Sequence, residues 1–147
     1  MGMLTVDRIS LGAKAKDKID AIRLAGELLV NGGCVNPAYI EGMQERERTM
    51  STYLGVGVSI PHGMYENYDD IVESGLSFLQ LPEGVEWEEG EMVYVVIGIA
   101  SSSDEHITVL QSLAEALEDE EKLNALIHST DPNQVIEILE TVAVEEE

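Results

Sequence analysis

The sequence predicts an α/β fold: a mixed β-sheet sandwiched between helices on both faces, in three layers. Two observations carry this. The run Val93-Tyr94-Val95-Val96-Ile97-Gly98-Ile99-Ala100 is apolar, β-branched and of strand length, with no charged residue, so it belongs in a sheet centre covered on both faces. Amphipathic helical segments lie before, between and after the strand segments, so helices are available for both faces. No internal repeat or linker interrupts the pattern, and one domain is expected over residues 1–147.

Taken in order, the first helix runs from Asp17 to Asn31. Ile19, Ile22, Ala25, Leu28 and Leu29 recur at helical spacing, Asp17 can accept from the first turn, and Gly32-Gly33 stops the helix. A second helix is expected from Asn36 to about Arg48, with Pro37 in its first turn and Tyr39, Ile40 and Met43 facing inward. Residues 49–57 read as a loop, with Gly55 and Gly57, leading into a short strand around Val58–Ile60. Gly75–Leu81 alternates weakly as a strand, and Pro82-Glu83-Gly84 reads as a turn. After the central strand, Ser102 and Glu105 have the spacing of a capping box. The helix they open has Ile107, Leu110, Leu113, Ala114 and Leu117 on its inner face. Two more helices are expected, near Glu120–Ile127 and Pro132–Val142, the last announced by Asp131-Pro132.

Composition restricts the function. Of 147 residues, 44% are apolar, enough for a packed core. Acidic residues number 29 against 8 Lys and Arg, a formal net charge of -21. Such a surface repels nucleic acid and anionic membranes, and neither is an expected partner. The acidic residues are spread along the chain, with only Glu145–Glu147 resembling a tail. The charge predicts adaptation to concentrated salt, as in an archaeal halophile, because at molar ionic strength the Debye length falls to about 3 Å and self-repulsion fades; the alternative is a merely acidic mesophilic protein. No apolar run reaches membrane-spanning length and no basic-then-apolar leader opens the chain, so direct membrane insertion is not expected and the location is read as cytoplasmic. Cys34 is the single cysteine, which excludes an internal disulfide, and it reads as a buried small residue.

Of three histidines, His62 and His106 sit at element edges. His62 is held between Pro61, which fixes its own φ and biases Ile60 to an extended form, and Gly63, which permits a sharp exit and close approach by another backbone. Imidazole near neutral pH is a competent nucleophile. A histidine with so little freedom is either an idle turn residue or an acceptor of a phosphoryl group, and the second reading requires a ring that is neither buried nor far from His106. His106 falls in the first turn of a helix that follows a buried strand, where unpaired N–H groups favour phosphate; the alternative is a polar residue in a capping turn. Arg46 and Arg48, two of four arginines, lie in Glu45-Arg46-Glu47-Arg48. Arg46 either contributes a phosphate-binding fork or complements a helix end, and Arg48 reads as the latter. His128 reads as a helix-end cap, and Trp87 as an anchor of its turn rather than a partner contact. A zinc site built on His62, His106 and a carboxylate lacks the usual ligand spacing, and no Gly-rich loop with a following Lys is present. No metal or other cofactor is expected.

Arg46, Thr52-Tyr53-Leu54-Gly55, Ile60-Pro61-His62-Gly63, Ile97-Gly98-Ile99-Ala100 and Glu105-His106 together resemble the fructose/mannitol-type enzyme IIA of the bacterial sugar phosphotransferase system. The resemblance covers about residues 9–139. The Gly26-Glu27 to Leu29 segment, Gly32-Gly33 and Leu81-Pro82-Glu83-Gly84-Val85 look like the mannitol-type members. The resemblance implies that His62 is the phosphorylated residue, through Nε2, that His106 hydrogen-bonds the phosphoryl group and that Arg46 lies near it. It implies phosphate acceptance from HPr and transfer to a cysteine of enzyme IIB, with the membrane enzyme IIC involved only indirectly. A halophilic source would favour fructose over mannitol. The alternative within the resemblance is the nitrogen-type enzyme IIA, a regulator in which phosphorylation switches binding. The acidic surface departs from the family and implies that docking leans on apolar contact near Tyr53, Leu54 and Met64.

Overall fold

The computed structural model describes residues 4–63, 65–101 and 106–139, and of residues 65, 66, 106 and 107 only the backbone. The predicted capping pair at Ser102 and Glu105, Met64, the Ile107 side chain, the stretch up to Val142 and the acidic end at Glu145–Glu147 lie outside what is described.

Four strands form one sheet in the order β1-β3-β4-β2, with β1 Ile9–Ser10, β2 Val58–Ser59, β3 Gly75–Glu88 and β4 Glu91–Ala100. The central pair β3 and β4 is antiparallel, and each carries a short parallel edge strand. Helices α1 Lys18–Asn31 and α2 Ala38–Thr49 cover one face; α3 His106–Glu118, α4 Glu120–His128 and α5 Pro132–Leu139 cover the other. The expected three-layer sandwich is observed. Side chains of the two central strands alternate between two cores. Leu76, Phe78, Ile97 and Ile99 pack with Val109, Leu113, Leu126 and Val135. Leu79, Leu81, Val96 and Ala100 pack with Ile22, Ala25, Leu29 and Met43. Helix α1 comes close to the sheet where Gly98 has no side chain: a Cβ there would lie 2.5 Å from Ser77 Oγ, which itself donates to Ala25 O at 2.9 Å.

The helix ends follow their sequence signals. Asp17 accepts from Asp20 N at 2.9 Å. At the other end of α1, Gly33 adopts φ 84° while Gly33 N and Cys34 N donate back to Val30 O and Leu29 O, the pair of bonds that lets a left-handed residue close a helix. Asp119 caps α4, accepting from Glu121 N and Lys122 N, and His128 Nδ1 lies 3.0 Å from Asn124 O at its end.

Three expectations are corrected. Pro82-Glu83-Gly84 is not the turn; β3 runs through it to Glu88, and the chain reverses at Glu89-Gly90, with Gly90 at φ 80°. Strand β3 has four residues, 81–84, where β4 has one, so Pro82 sits off the ladder and its missing N–H is not needed. On the other side of the same bulge Tyr94 N and Val95 N both donate to Gly57 O. The second correction is at α2, which starts at Ala38, because Asn36 N is taken by Asp70 O in a crossing contact. The third is a set of elements with too few residues to show a period: β1, and the 3-10 turns Val6–Arg8 and Tyr65–Asp70.

Glu47, in the last turn of α2, is buried, at 4% exposure. Its Oε1 accepts from Thr52 N and Thr52 Oγ1 at 3.1 and 2.6 Å; its Oε2 accepts from Trp87 Nε1 at 2.9 Å and faces Lys18 Nζ at 3.5 Å. Trp87 is accordingly buried, with Lys18 5.9 Å above its ring centre, and it anchors the far half of β3 as expected. One carboxylate thus ties α2, the loop after it, α1 and β3. Glu47→Ala strands these donors and should lower unfolding stability by about 3 kcal/mol, read as a drop in the urea midpoint. Ser59 Oγ is buried and has no hydrogen-bond partner among the described residues. Ser59→Ala should therefore leave stability unchanged or raise it by up to about 1 kcal/mol in the same measurement.

Candidate functional site

Beyond β2 the chain keeps its register along β4. Val58 and Ser59 pair with Val95 and Val96, and three residues later His62 forms a parallel bridge with Ile99. Of the two intervening residues, Ile60 and Pro61, the second has no N–H to give; its carbonyl accepts from Ile99 N at 3.0 Å. The Pro-His-Gly segment is therefore the last rung of the sheet rather than a free loop. It sits at the carboxyl end of β4, the end from which the chain goes on to α3.

The His62 ring is fixed by its own segment. Nδ1 lies 2.9 Å from Ile60 O. A carbonyl only accepts, so Nδ1 carries the proton in the neutral ring and the lone pair is on Nε2. The tautomer, which the sequence leaves open, thus follows from backbone geometry and agrees with the nitrogen implied by the family resemblance.

His62 is 7% exposed, against the expectation of an accessible ring. The burial has a physical cause: the residue is laddered to β4 on one side, and Tyr39 packs beside the exit at Gly63. Taken by itself this counts against His62 as an open acceptor.

Tyr39, on the first turn of α2, was read only as an inner-face residue. Its hydroxyl donates to Ile99 O at 2.9 Å and accepts from Gly63 N at 2.8 Å. Burial pushes the phenol up to about 12, so it stays protonated and able to donate at neutral pH. Gly63 is required by contact, and not for a left-handed turn: a Cβ there would stand 2.5 Å from Tyr39 Cε1. The close approach is made by an aromatic side chain rather than by another backbone. A tyrosine at an apolar helical position always needs a partner for its hydroxyl when buried, and that is the signal by which the sequence points to Tyr39.

The remaining candidates fall out unequally. His106 opens α3, six residues past the end of β4; the His106 side chain lies outside the described residues. Arg46 bonds the carbonyl of Met50, the capping role expected of a helix-end base, and Arg48 pairs with Glu45 at 2.7 Å. Cys34 is fully buried, and burial pushes its thiol up, which makes it inert. Among the described residues no group of three or more His, Cys, Asp or Glu is arranged to hold a metal ion. None of the described helices is long and apolar enough to cross a membrane. A groove of about 690 Å³ lies between Leu11, Gln80, Pro82, Tyr94 and Ile127, and His62 does not line it.

Known proteins share this arrangement. Residues 2–142 match the family model described as "Phosphoenolpyruvate-dependent sugar phosphotransferase system, EIIA 2". The chain is 45% identical over 138 residues to the mannitol-specific EIICBA component of Escherichia coli K12, covering 92% of this chain and 22% of that much longer protein. It is 38% identical to the mannitol-specific phosphotransferase enzyme IIA component of Staphylococcus aureus Mu50, covering 91% of this chain and 92% of that one. The enzyme IIA in the Escherichia coli complex of enzyme IIAMTL with phosphorylated enzyme IIBMTL superposes with a TM-score of 0.86 at 45% identity, over 92% of this chain and 96% of that one. The segment that fixes His62 at the end of β4 thus lies inside an alignment spanning nearly the whole chain, and the chain belongs to the enzyme IIA type 2 family of the phosphoenolpyruvate-dependent sugar phosphotransferase system.

Proposed function

We propose that this chain is the phosphocarrier of a sugar-uptake phosphotransferase system, with His62 as the residue that takes the phosphoryl group. The observation that carries the reading is the His62 ring itself: Nδ1 lies 2.9 Å from Ile60 O, which places the proton on Nδ1 and makes Nε2 the nucleophilic nitrogen of the neutral ring. In the first step Nε2 forms a bond to phosphorus as the N–P bond of the phosphohistidine of HPr breaks, and the proton stays on Nδ1. In the second step the thiolate of a cysteine of enzyme IIB takes the phosphoryl group, and the electron pair returns to Nε2. Such transfers pass through a loose transition state, so the protein acts by positioning and by offering donors to the equatorial oxygens. His106 and the N–H groups at the start of α3 are the donors this reading uses, with Arg46 as a third if its guanidinium leaves Met50 O.

Burial of the ring counts against this reading, and the family relationship is what outweighs it. The relationship to a mannitol-specific enzyme IIA that stands nearly alone, and the match to an enzyme IIA in complex with its enzyme IIB, support transport and an enzyme IIB partner over the nitrogen-type regulator. The mannitol names among the relatives favour mannitol over the fructose expected for a halophile. Enzyme IIC would be served indirectly, through enzyme IIB, and the site of action would be cytoplasmic.

Incubation with phosphoenolpyruvate, enzyme I and HPr, followed by mass spectrometry, should add one phosphoryl group to the protein. His62→Ala should lose it entirely. His106→Ala should still accept it and pass it on to enzyme IIB slowly; phosphate on His62→Ala would defeat the reading. The docking surface makes a second, independent prediction. Leu54 is 37% exposed, while Tyr53 is partly buried with its hydroxyl on Glu91, so the apolar contact rests on Leu54 more than on Tyr53. Affinity for HPr, followed by titration calorimetry, should change little up to molar salt, where charge attraction is screened beyond about 3 Å; a steep fall would contradict apolar docking.

A further inference from the structure

We propose that Tyr39 is a positioning residue for phosphoryl transfer, its hydroxyl wedged into the last rung of the sheet to set the direction of the His62 ring. The inference rests on His62 being the acceptor and goes beyond that assignment. In a parallel ladder, the residue bridged to Ile99 is flanked by two bonds: one from Ile99 N to the preceding carbonyl, one from the following N–H to Ile99 O. The first bond is made, from Ile99 N to Pro61 O at 3.0 Å. At the second position both groups meet the Tyr39 hydroxyl, which donates to Ile99 O at 2.9 Å and accepts from Gly63 N at 2.8 Å.

The consequence is geometric. The hydroxyl binds both groups at the exit of His62, while the entry is laddered to Ile99, so the His62 peptide is held on both sides of its Cα. The ring is simultaneously tied to Ile60 O through Nδ1. With the entry, the exit and one ring nitrogen all fixed, the direction of Nε2 has no remaining freedom. The absence of a side chain at Gly63 lets the phenol take this place, since a Cβ would stand 2.5 Å from Tyr39 Cε1 and 2.9 Å from Cζ. The hydroxyl comes from α2, which is held in turn by the buried Glu47, so the wedge is rigidly mounted. In Tyr39→Phe the Gly63 N–H and Ile99 carbonyl lose their shared partner and close on each other, which draws His62 against β4 and turns Nε2.

The test is phosphoryl transfer from phospho-HPr, followed by rapid quench at varied donor concentration, on wild type, Tyr39→Phe and His62→Ala, together with 15N shifts of the His62 ring. Tyr39→Phe should lower the maximal rate by between about 10-fold and about 100-fold with half-saturation unchanged, since an ångström of misplacement costs on this scale. Its ring shifts should differ from wild type. A wild-type maximal rate, or a rate loss with unaltered ring shifts, overturns the proposal and assigns the hydroxyl to the fold alone. Should Tyr39→Phe not fold, hydrogen exchange of the Gly63 amide in wild type decides: strong protection supports the wedge, and exchange at the unprotected rate overturns it. Absence of phosphate on wild type would remove the acceptor reading and this proposal together, whereas phosphate on wild type but not on His62→Ala with normal Tyr39→Phe kinetics sinks the wedge alone.

Discussion

Strand β4 has no solvent face over its last six residues, from Val95 to Ala100. Its backbone is paired with β3 on one edge and, from Val58 to His62, with the β2 segment on the other. A strand covered this completely cannot shift register without moving apolar side chains into the wrong core or breaking two ladders at once. The rest of the molecule takes its coordinates from that strand. Helices α1 and α3 pack on opposite sides of it, and the turn carrying His62 is an extension of its ladder.

That rigidity explains how a short, locally irregular segment can hold a reactive ring. Pro61 interrupts donation, Gly63 has no side chain, and the tyrosine from α2 enters between strands. Each of these is a local departure from regular sheet. They are tolerated because Ile99, to which Pro61 and Tyr39 bond, belongs to the best-buried part of the sheet. The backbone polar groups released by the irregularity are satisfied by a side chain rather than by water, as burial requires. The cost of enclosure is access: the ring is held well and exposed little.

The charge of the chain acts on a different level. Acidic residues outnumber basic ones more than threefold, yet several of the few cations are used in partly buried contacts. Arg8 bonds Gly32 O and reaches Glu73, and Lys18 lies between Glu47, Glu88 and the Trp87 ring. Screened surfaces gain little from isolated ion pairs, whereas a carboxylate buried with four donors is nearly insensitive to salt. The exposed acidic residues and the buried Glu47 thus bear differently on the cohesion of the fold.

Much of this was legible along the chain. The run of Val and Ile in β4, the helical periods of α1 and α4, the Asp17 cap and the Gly32-Gly33 stop are all local: each depends on residues within one or two turns, and local spacing specifies them. His62 and the segment around it also stood out, because proline and glycine restrict backbone geometry wherever they occur. What stayed hidden has one common physical origin, dependence on partners distant in sequence. Glu47 looks like any charged residue at a helix end until Trp87 and Lys18 are brought to it. Pro82-Glu83-Gly84 has the composition of a turn, and only the bulge opposite Tyr94 keeps it in a strand. Tyr39 reads as a core residue until the ladder between β4 and the His62 segment leaves a place for its hydroxyl. The sequence by itself determined which elements form and which imidazole is conformationally restricted; tertiary structure alone decided which way that imidazole faces, because hydrogen-bond partners 24 and 60 residues apart have to converge before the direction exists.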